Sequence, residues 1–488
     1  MRCLRQGPRG TDLTMTSIGQ GQSTVRIEIS GSRWIGPAVL VVCDLIALAL
    51  SVALSVWLYL GEAGLTYARL WPLLLFFPLT YAILGLYPGM GLHPAEEMRL
   101  ITYATTTVYI VLATAAFLFK VGPVYSRGVY LLAWGFGLIL MNLSRPLARQ
   151  MFSRRGWWGY PVVILGAGET GRLIVRTLLA YPGLGLRPVA LFDDDPSKWG
   201  SYKRVPIVGG INQAIGVAKP GVRHAILAMP GVARPRLMKI LDEYVDCFPH
   251  LVLMPDLFGL SSLWIRPRDL VGTLGLEVQQ RLLLPGLRTE KRTLDLALTA
   301  LGGLFLLPFL VLIAVAIKLD SPGPALYRQP RLGRGGKIIH VIKFRTMHGE
   351  GETELDAVLE ASPEVRQEYE VFHKLRHDPR VTRVGYVLRR LSLDELPQLW
   401  NLLKGEMSWV GPRAYLPREV SQMKGKEATI LKVVPGMTGT WQIMGRNQTT
   451  FEERLRQDEY YIHNWSIWLD LYILSRTLLV VLQGRGAY

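Results

Sequence analysis

The chain changes its hydrophobic pattern several times, and each change marks a different kind of structure. Residues 1 to about 33 are rich in Gly, Ser, Thr, Gln and Arg with little periodicity, and read as a disordered basic tail. A polar stretch that long ahead of the first apolar run does not read as a cleavable signal peptide. Ile35–Leu60 is long enough to span a bilayer, with Asp44 its one charge. Leu70–Tyr87 is a second run, carrying Pro72 and Pro78, which helices in lipid tolerate better than soluble ones. Leu100–Phe119 is a third and Val129–Leu143 a shorter fourth, so residues 34–150 read as four transmembrane helices.

From Tyr160 the pattern turns to short β-runs alternating with helical stretches. Strands are expected at Val162–Leu165, Val189–Phe192, Val205–Val208, Ala225–Met229 and Leu251–Met254, and helices at Arg172–Ala180, Ile211–Ala218 and Pro235–Val245. Residues 160–275 therefore read as a Rossmann-like α/β module. Its first strand runs into Gly166-Ala167-Gly168-Glu169-Thr170-Gly171, and Asp193, Asp194 and Asp195 follow the second. Strand, turn, helix and later acid fall in order, which supports the fold. It does not establish a bound nucleotide, because the same glycines serve a tight turn and close helix–strand packing.

A fifth apolar run, Leu294–Ile317, has basic residues at both ends: Arg288, Lys291 and Arg292 before it, Lys318, Arg328 and Arg331 after. Basic flanks prefer the cytoplasm, so both ends favour one side. Pro308 removes a helical hydrogen bond and forces a bend. A re-entrant helix satisfies both facts; the alternative is a kinked full span. By the same rule, Arg26 and Arg33 before the first span and Arg145, Arg149, Arg154 and Arg155 after the fourth put both ends of the bundle in the cytoplasm. Asp44 reads as reaching the interface, with a functional intramembrane acid as the alternative.

The formal charge of +17 calls for an anionic partner. Half of the residues are hydrophobic and mean hydropathy is positive, so lipid headgroups or phosphorylated substrates are favoured over nucleic acid. Cys3, Cys43 and Cys247 form no CxxC pair, which argues against a disulfide framework or zinc site and suits a reducing compartment. No histidine spacing argues for a transition metal.

The candidate chemistry centres on Ser392-Leu393-Asp394-Glu395-Leu396-Pro397-Gln398-Leu399-Trp400-Asn401. Two adjacent acids sit among leucines, directly after Arg389 and Arg390. On a helix they would point about 100° apart, so one can attack while the other holds a metal. The structural alternative is a helix start capped by Ser392, where acids favour the dipole. Around this stretch lie Lys343-Phe344-Arg345-Thr346-Met347, Gly411-Pro412-Arg413, Pro435-Gly436-Met437-Thr438-Gly439 and Gly445-Arg446-Asn447. Lys343, Arg345, Arg389, Arg413 and Arg446 together point to phosphate binding, with a carboxylate holding Mg²⁺.

Motifs of this kind in this order, from Thr289 to Tyr488, resemble the bacterial sugar transferases, or monotopic phosphoglycosyl transferases. The whole layout looks most like the long undecaprenyl-phosphate galactose phosphotransferases, with glucose-transferring relatives sharing it. The resemblance implies a catalytic domain over 288–488 with a re-entrant helix at 294–317, on the cytoplasmic face of a bacterial inner membrane. It implies that Asp394 attacks the β-phosphate of a UDP-sugar, releases UMP and forms an aspartyl-phosphosugar, which undecaprenyl phosphate then attacks. Such products initiate O-antigen, capsule or exopolysaccharide synthesis. Glu395 matches the acid tied to Mg²⁺, with Asp394 beside it, and Lys343, Arg389 and Arg413 match basic motif positions. The chain departs from the pattern at Leu307, where a Ser often precedes the helix-breaking proline, at Val434, where an Arg is common, and at Ala414, where a Pro is. The four spans and a module without evident catalytic residues lead us to expect a homodimer.

Two other readings compete. A membrane-anchored nucleotide-sugar dehydratase or epimerase would need a Tyr-x-x-x-Lys pair, and residues 160–287 contain none. A non-enzymatic nucleotide-sensing scaffold would not depend on Asp394.

Overall fold

A computed structural model describes residues 5–6, 12–16, 24–28, 34–87, 89, 91–119, 126–218, 222–254, 265–269, 274–278, 281–348, 380–443 and 450–482. The chain forms two units, Met1–Phe258 and Gly259–Tyr488. The stretch expected to be a disordered tail contains three short strands, Arg5–Gln6, Asp12–Thr16 and Thr24–Glu28, paired antiparallel. The correction has a pattern behind it: Leu13 and Met15, and Val25 and Ile27, alternate with polar residues at the strand period of two.

Ile35–Leu60 (α1), Pro94–Leu118 (α3) and Arg127–Phe152 (α4) are long and apolar enough to cross a membrane. Their surfaces expose Ile46, Leu50, Trp57, Ile110, Phe117 and Leu131, as lipid contact requires. The second expected span differs. Gly61–Leu75 winds as a 3₁₀ helix, and only Phe76–Ile83 (α2) is α-helical. Pro72 lies inside the 3₁₀ stretch, where it cannot donate a backbone hydrogen bond. Pro78 falls in the first turn of α2, where a missing N–H is tolerated. By length and composition, then, three helices rather than four qualify among the described residues of this region. The fourth run is longer than its apolar stretch implied, because α4 continues through Arg145 and Arg149.

Those two arginines are not free cytoplasmic flanks. Arg145 and Asp44 are both fully buried, and Arg145 donates to Asp44 Oδ2 at 2.8 Å from Nη2 and to Glu97 Oε1 at 3.0 Å from Nη1. It also donates to the Leu86 carbonyl at 3.1 Å, and the Tyr87 hydroxyl donates to Asp44. Arg149 donates to Glu97 at 2.8 Å and to the carbonyls of Gly89 and Gly183. Asp44 thus joins an internal ion cluster across α1, α3 and α4.

The α/β module follows the expected order. Strands β1 (Tyr160–Leu165), β2 (Leu186–Phe192), β3 (Gly200–Tyr202), β4 (Val205–Gly209), β5 (His224–Leu227) and β6 (His250–Leu253) form one sheet in the order β3-β4-β2-β1-β5-β6. All pairs are parallel except β3–β4. Helices α5 (Glu169–Ala180) and α6 (Arg234–Val245) cover it. Val163, Leu165 and Leu227 enter one core layer while Val162, Ile164 and Ile226 enter the other, which is why these strands read as continuous apolar runs. The sheet ends at Leu253. The hairpin of Ile265–Asp269 and Leu274–Val278 belongs to the second unit.

In the second unit, Pro285–Asp320 (α7) bends by 61° between Gly286–Gly303 and Phe305–Asp320. The break falls at Leu304, four residues before Pro308. That is the carbonyl a residue at 308 would bond and the one its ring would crowd. Strands β7 (Leu326–Leu332) and β8 (Ile338–Phe344) form an antiparallel hairpin, with Tyr327 opposite Lys343. Helix α8 (Arg383–Arg390) leads into the 3₁₀ segment Leu393–Gln398 and helix α9 (Leu399–Lys404). Short strands β9 (Ser408–Val410) and β10 (Gly436–Thr438) pair in parallel, and α10 (Phe451–Asn464) and α11 (Ile467–Leu482) complete the unit. Asp470 on α11 is buried and accepts from Lys291 Nζ at 2.7 Å, Tyr461 at 2.8 Å and Trp465 Nε1 at 3.0 Å. Trp465 is therefore part of this core.

Truncating one partner of the Asp44–Arg145 pair strands a buried charge. Arg145→Ala is expected to cost about 3–5 kcal/mol, the range for breaking a buried pair. Denaturant unfolding in detergent micelles measures it, and an unchanged midpoint would refute the network's structural role.

Candidate active site

The acidic pair sits on a 3₁₀ turn, not an α-helix, so successive side chains diverge by about 120°. Ser392 precedes it in the left-handed region at φ 56° and makes no side-chain capping hydrogen bond, which removes the simple capping explanation for the acids. A non-glycine residue held there stores local strain, a frequent mark of functional turns. The flanking Leu393 and Leu396 pack against a core of Ile317, Ala325, Phe344 and Leu388. These leucines anchor the turn on the far half of α7 and leave the acids half-buried at its edge.

Asn401, nearly fully buried, fixes the turn against β8. Its Oδ1 accepts from the Ile342 N–H at 3.1 Å, and its Nδ2 donates to the His340 carbonyl at 2.8 Å and to Glu406 at 2.7 Å. Arg292, near the start of α7, donates to the Leu402 and Leu403 carbonyls at 2.6 and 2.8 Å, closing the C-terminus of α9. With the frame held, Lys343 Nζ meets Glu395 Oε1 at 2.7 Å. Burial, then the neighbouring Glu395 charge, push the Asp394 carboxyl up to about 6, against the opposing pull of Lys343 and Arg389. Arg389 is oriented by a 2.9 Å hydrogen bond from its Nε to Thr346 Oγ1.

The structure thus brings Asp394, Glu395, Lys343 and Arg389 together. Arg413 stands at the adjoining edge: its backbone N–H donates to Asp458 at 3.0 Å, and its guanidinium lies 5.4 Å from the Trp441 ring centroid. Arg345 points elsewhere. It donates to the carbonyls of Ser321 and Pro322, both at 2.7 Å, and to Ser321 Oγ at 2.8 Å, so it secures the turn leaving α7. A Cβ on Gly323 in that turn would meet Arg345 Nη1 at 2.2 Å, and φ is 116°, so the turn demands glycine. Arg446, the polar stretch leading to Asp378 and the terminal Gly486-Ala487-Tyr488 lie outside the described residues. Asn401 stood in the singled-out stretch without a role, and Arg331 and Asp458, discussed below, were not singled out for the site. Their partners are distant in sequence, and no local spacing announces them.

Metal binding can be tested on the donor set. Among the described residues no group of three His, Cys, Asp or Glu side chains converges. Two adjacent carboxylates do fit Mg²⁺, which is typically held by one or two carboxylates while substrate phosphates and water complete its shell.

The glycine turn of the first unit behaves differently from a phosphate cradle. Gly166 has φ 105°, and a Cβ on Gly171 would lie 1.9 Å from the Gly166 carbonyl oxygen, so both are dictated by the fold. Around Gly168 there is open space, part of a 430 Å³ cleft that also borders Glu169, Asp193, Asp194, Asp195, Lys198 and Arg236. The Ala167 N–H in the turn already donates to Asp193 Oδ2 at 2.8 Å. Burial alone would raise Asp193, but the N–H groups of Asp195 and Ala167 and the Lys198 ammonium outweigh it and hold it below the usual range.

Residues 287–484 match the family model described as bacterial sugar transferase, and residues 82–255 match one described as a CoA-binding domain. The undecaprenyl-phosphate galactose phosphotransferase of Salmonella typhimurium is 33% identical over 371 residues, covering 75% of this chain and 77% of the relative. The UDP-glucose:undecaprenyl-phosphate glucose-1-phosphate transferase of Escherichia coli is also 33% identical, over 73% of this chain and 76% of the relative. The exopolysaccharide production protein ExoY of Rhizobium meliloti is 39% identical over 41% of this chain and 88% of its own length. With the acidic turn, its lysine partner and a bent apolar helix assembled in one unit, this chain belongs to the bacterial sugar transferase family.

Proposed function

We propose that the protein transfers a sugar-1-phosphate from a UDP-sugar to undecaprenyl phosphate at the cytoplasmic face of the bacterial inner membrane. The observation that carries the reading is Asp394: a half-buried carboxylate flanked by Glu395, Lys343 and Arg389, on a rigid turn over a bent apolar helix. In the first step an Asp394 oxygen attacks the phosphorus that bears the sugar. The bond from that phosphorus to the bridging oxygen breaks, and UMP departs with the oxygen and its electron pair. In the second, a phosphate oxygen of undecaprenyl phosphate attacks the same phosphorus and the Asp394 carboxylate leaves. Splitting the transfer in two lets one site accept a soluble donor and a lipid acceptor in turn.

Lys343 and Arg389 counter the phosphate charge around the attacking oxygen, and partial desolvation strengthens their pull. Glu395, with Asp394 beside it, would hold Mg²⁺; when bound, that ion neutralises the diphosphate and the departing UMP. Helix α7, as a re-entrant helix turned back at Leu304, keeps the acidic turn on the side where the donor is soluble. This topology is supported by basic residues at both ends and by the 61° bend.

Galactose is the sugar we propose, on overall architecture. Glucose is the second reading, supported by the Escherichia coli relative at the same 33% identity. Incubating the purified protein with Mg²⁺, undecaprenyl phosphate and a panel of UDP-sugars, and measuring UMP release, tests both. UDP-galactose is expected to give the fastest release, and a faster rate with UDP-glucose would select the second reading. Asp394→Asn is expected to abolish turnover, and full activity in that variant would end the covalent mechanism.

The pH dependence follows from the raised carboxyl. Protonated Asp394 cannot attack, so UMP release in a single turnover should fall about tenfold per pH unit below about 6 and level off above it. Lys343→Met removes a charge that favours the carboxylate, so its break should move to higher pH. A break that stays put or moves down would contradict the assigned neighbourhood.

A further inference from the structure

A second cluster of charge adjoins the acidic turn, and the acidic turn's own chemistry leaves it without a task. Arg331 on β7 is anchored by a hydrogen bond from Nη1 to the Ala414 carbonyl at 3.0 Å, and from Nη2 to Gln329 Oε1 at 2.8 Å. Arg413 lies in the loop that follows β9. Its guanidinium makes a loose ion pair with Glu419, Nη2 to Oε1 at 3.8 Å. Arg454 on α10 comes within 5.7 Å of the Trp441 ring centroid, the same ring that Arg413 approaches at 5.4 Å. Both distances are within cation–π range.

The frame beneath these side chains is rigid. Asp458, fully buried on α10, accepts the Arg413 N–H at 3.0 Å and the Tyr415 hydroxyl at 2.8 Å on a single oxygen, Oδ2. Its other oxygen is buried with no hydrogen-bond partner among the described residues. The Leu332 N–H bonds the Tyr415 carbonyl at 2.8 Å, tying β7 to the same loop, and the Gly436 N–H bonds the Pro412 carbonyl at 2.8 Å.

Electrostatically the cluster is short of negative charge. Burial and then Arg413 depress Arg331 to about 10, while Glu419 and Glu395 only partly compensate and Arg418 adds to the repulsion. Burial and Arg413 likewise lower Arg454. Asp458 is itself pushed up to about 7 by burial, so it neutralises the arginines incompletely near neutral pH. Guanidinium groups gathered against their mutual repulsion, on a frame that prevents them from separating, fit a multiply charged oxyanion. The Glu395 charge is felt at Arg331, so the cluster and the acidic turn lie within electrostatic reach of each other.

We propose that Arg331, Arg413 and Arg454 form the subsite for the diphosphate of the nucleotide donor, on a frame held by Asp458, with Trp441 as the aromatic surface beside the nucleoside. The assignment rests on the transfer reading above. A lipid phosphate offers the same oxyanion chemistry, but it brings no base to set against an aromatic ring.

The test uses the full-length protein in detergent. Arg454→Gln and Arg331→Gln should each raise the KM for UDP-sugar about tenfold or more, the loss expected for a charge-assisted hydrogen bond. The KM for undecaprenyl phosphate should stay within about twofold, and Arg454→Lys should restore part of the donor affinity. Equilibrium dialysis with UDP on the Asp394→Asn protein, with and without Arg454→Gln, repeats the comparison without turnover. The UDP dissociation constant should rise by a similar factor. Unchanged UDP binding, or a rise confined to the lipid KM, would overturn the subsite. Retained turnover in Asp394→Asn would instead overturn the transfer mechanism and leave the binding comparison standing.

Discussion

The site depends on keeping one carboxylate partly dry and still ionisable. Burial raises the cost of charge on Asp394, and an adjacent Glu395 raises it further. What offsets both is the lysine that β8 delivers to Glu395, at 2.7 Å, with Arg389 nearby. The register of β8 against the acidic turn is therefore as important as the acids. Asn401 sets it by bonding the backbone of both His340 and Ile342, a two-point attachment that fixes position along the strand. Leu393 and Leu396 fix the turn in depth, because they pack on residues of α7 and β8 at once.

The same economy governs the first unit, where burying Arg145 is tolerable only because two carboxylates, a backbone carbonyl and an aromatic surround meet it. Arg149 extends the network to Gly183, at the edge of the α/β module, while the Gly91 N–H donates to the neighbouring Leu184 carbonyl. The last turns of α4 thus fasten the sheet's own loops to the helical bundle. Two arginines that look like topology signals in the sequence are structural cross-links.

Much of this was legible in the sequence because it is periodic. The α/β module's strands fell where the apolar runs were, and three of the long apolar helices were found by the same means. What sequence could not supply was pairing across distance. Asp44 lies 101 positions from Arg145, and Asn401 lies 59 from Ile342, so no window holds both partners. Arg345 illustrates the opposite failure. Its motif suggested phosphate, yet the nearby turn at Ser321 and Pro322 claims its donors. Helix type was misjudged in two places, the second apolar run and the acidic turn. Both carry prolines, at Pro72 and Pro397, and the hydrophobic pattern does not separate a 3₁₀ turn from an α-helical one.

The glycine turn separates inheritance of a fold from inheritance of its use. In a dinucleotide-binding module the turn's N–H groups face the pyrophosphate. Here Ala167 N–H is bonded to Asp193, at the end of the next strand, and Lys198 is paired back onto that aspartate. The internal carboxylate takes an anion-binding donor, and Arg236 is bound to Asp194, so the cleft's two basic residues are both engaged by acids of the cleft itself. A phosphate entering this cleft would meet one turn N–H already bonded to Asp193 and a lysine already paired with it. The arginine cluster around Trp441 has the reverse balance, a frame already formed with cationic charge in excess. Within one chain, the turn shaped like a nucleotide fold has one donor and both basic residues of its cleft held by the cleft's own acids, while the loop and strand end that carry the arginine cluster keep cationic charge in excess. Local charge and donor occupancy, rather than the sheet's topology, decide where a nucleotide's phosphates can bind.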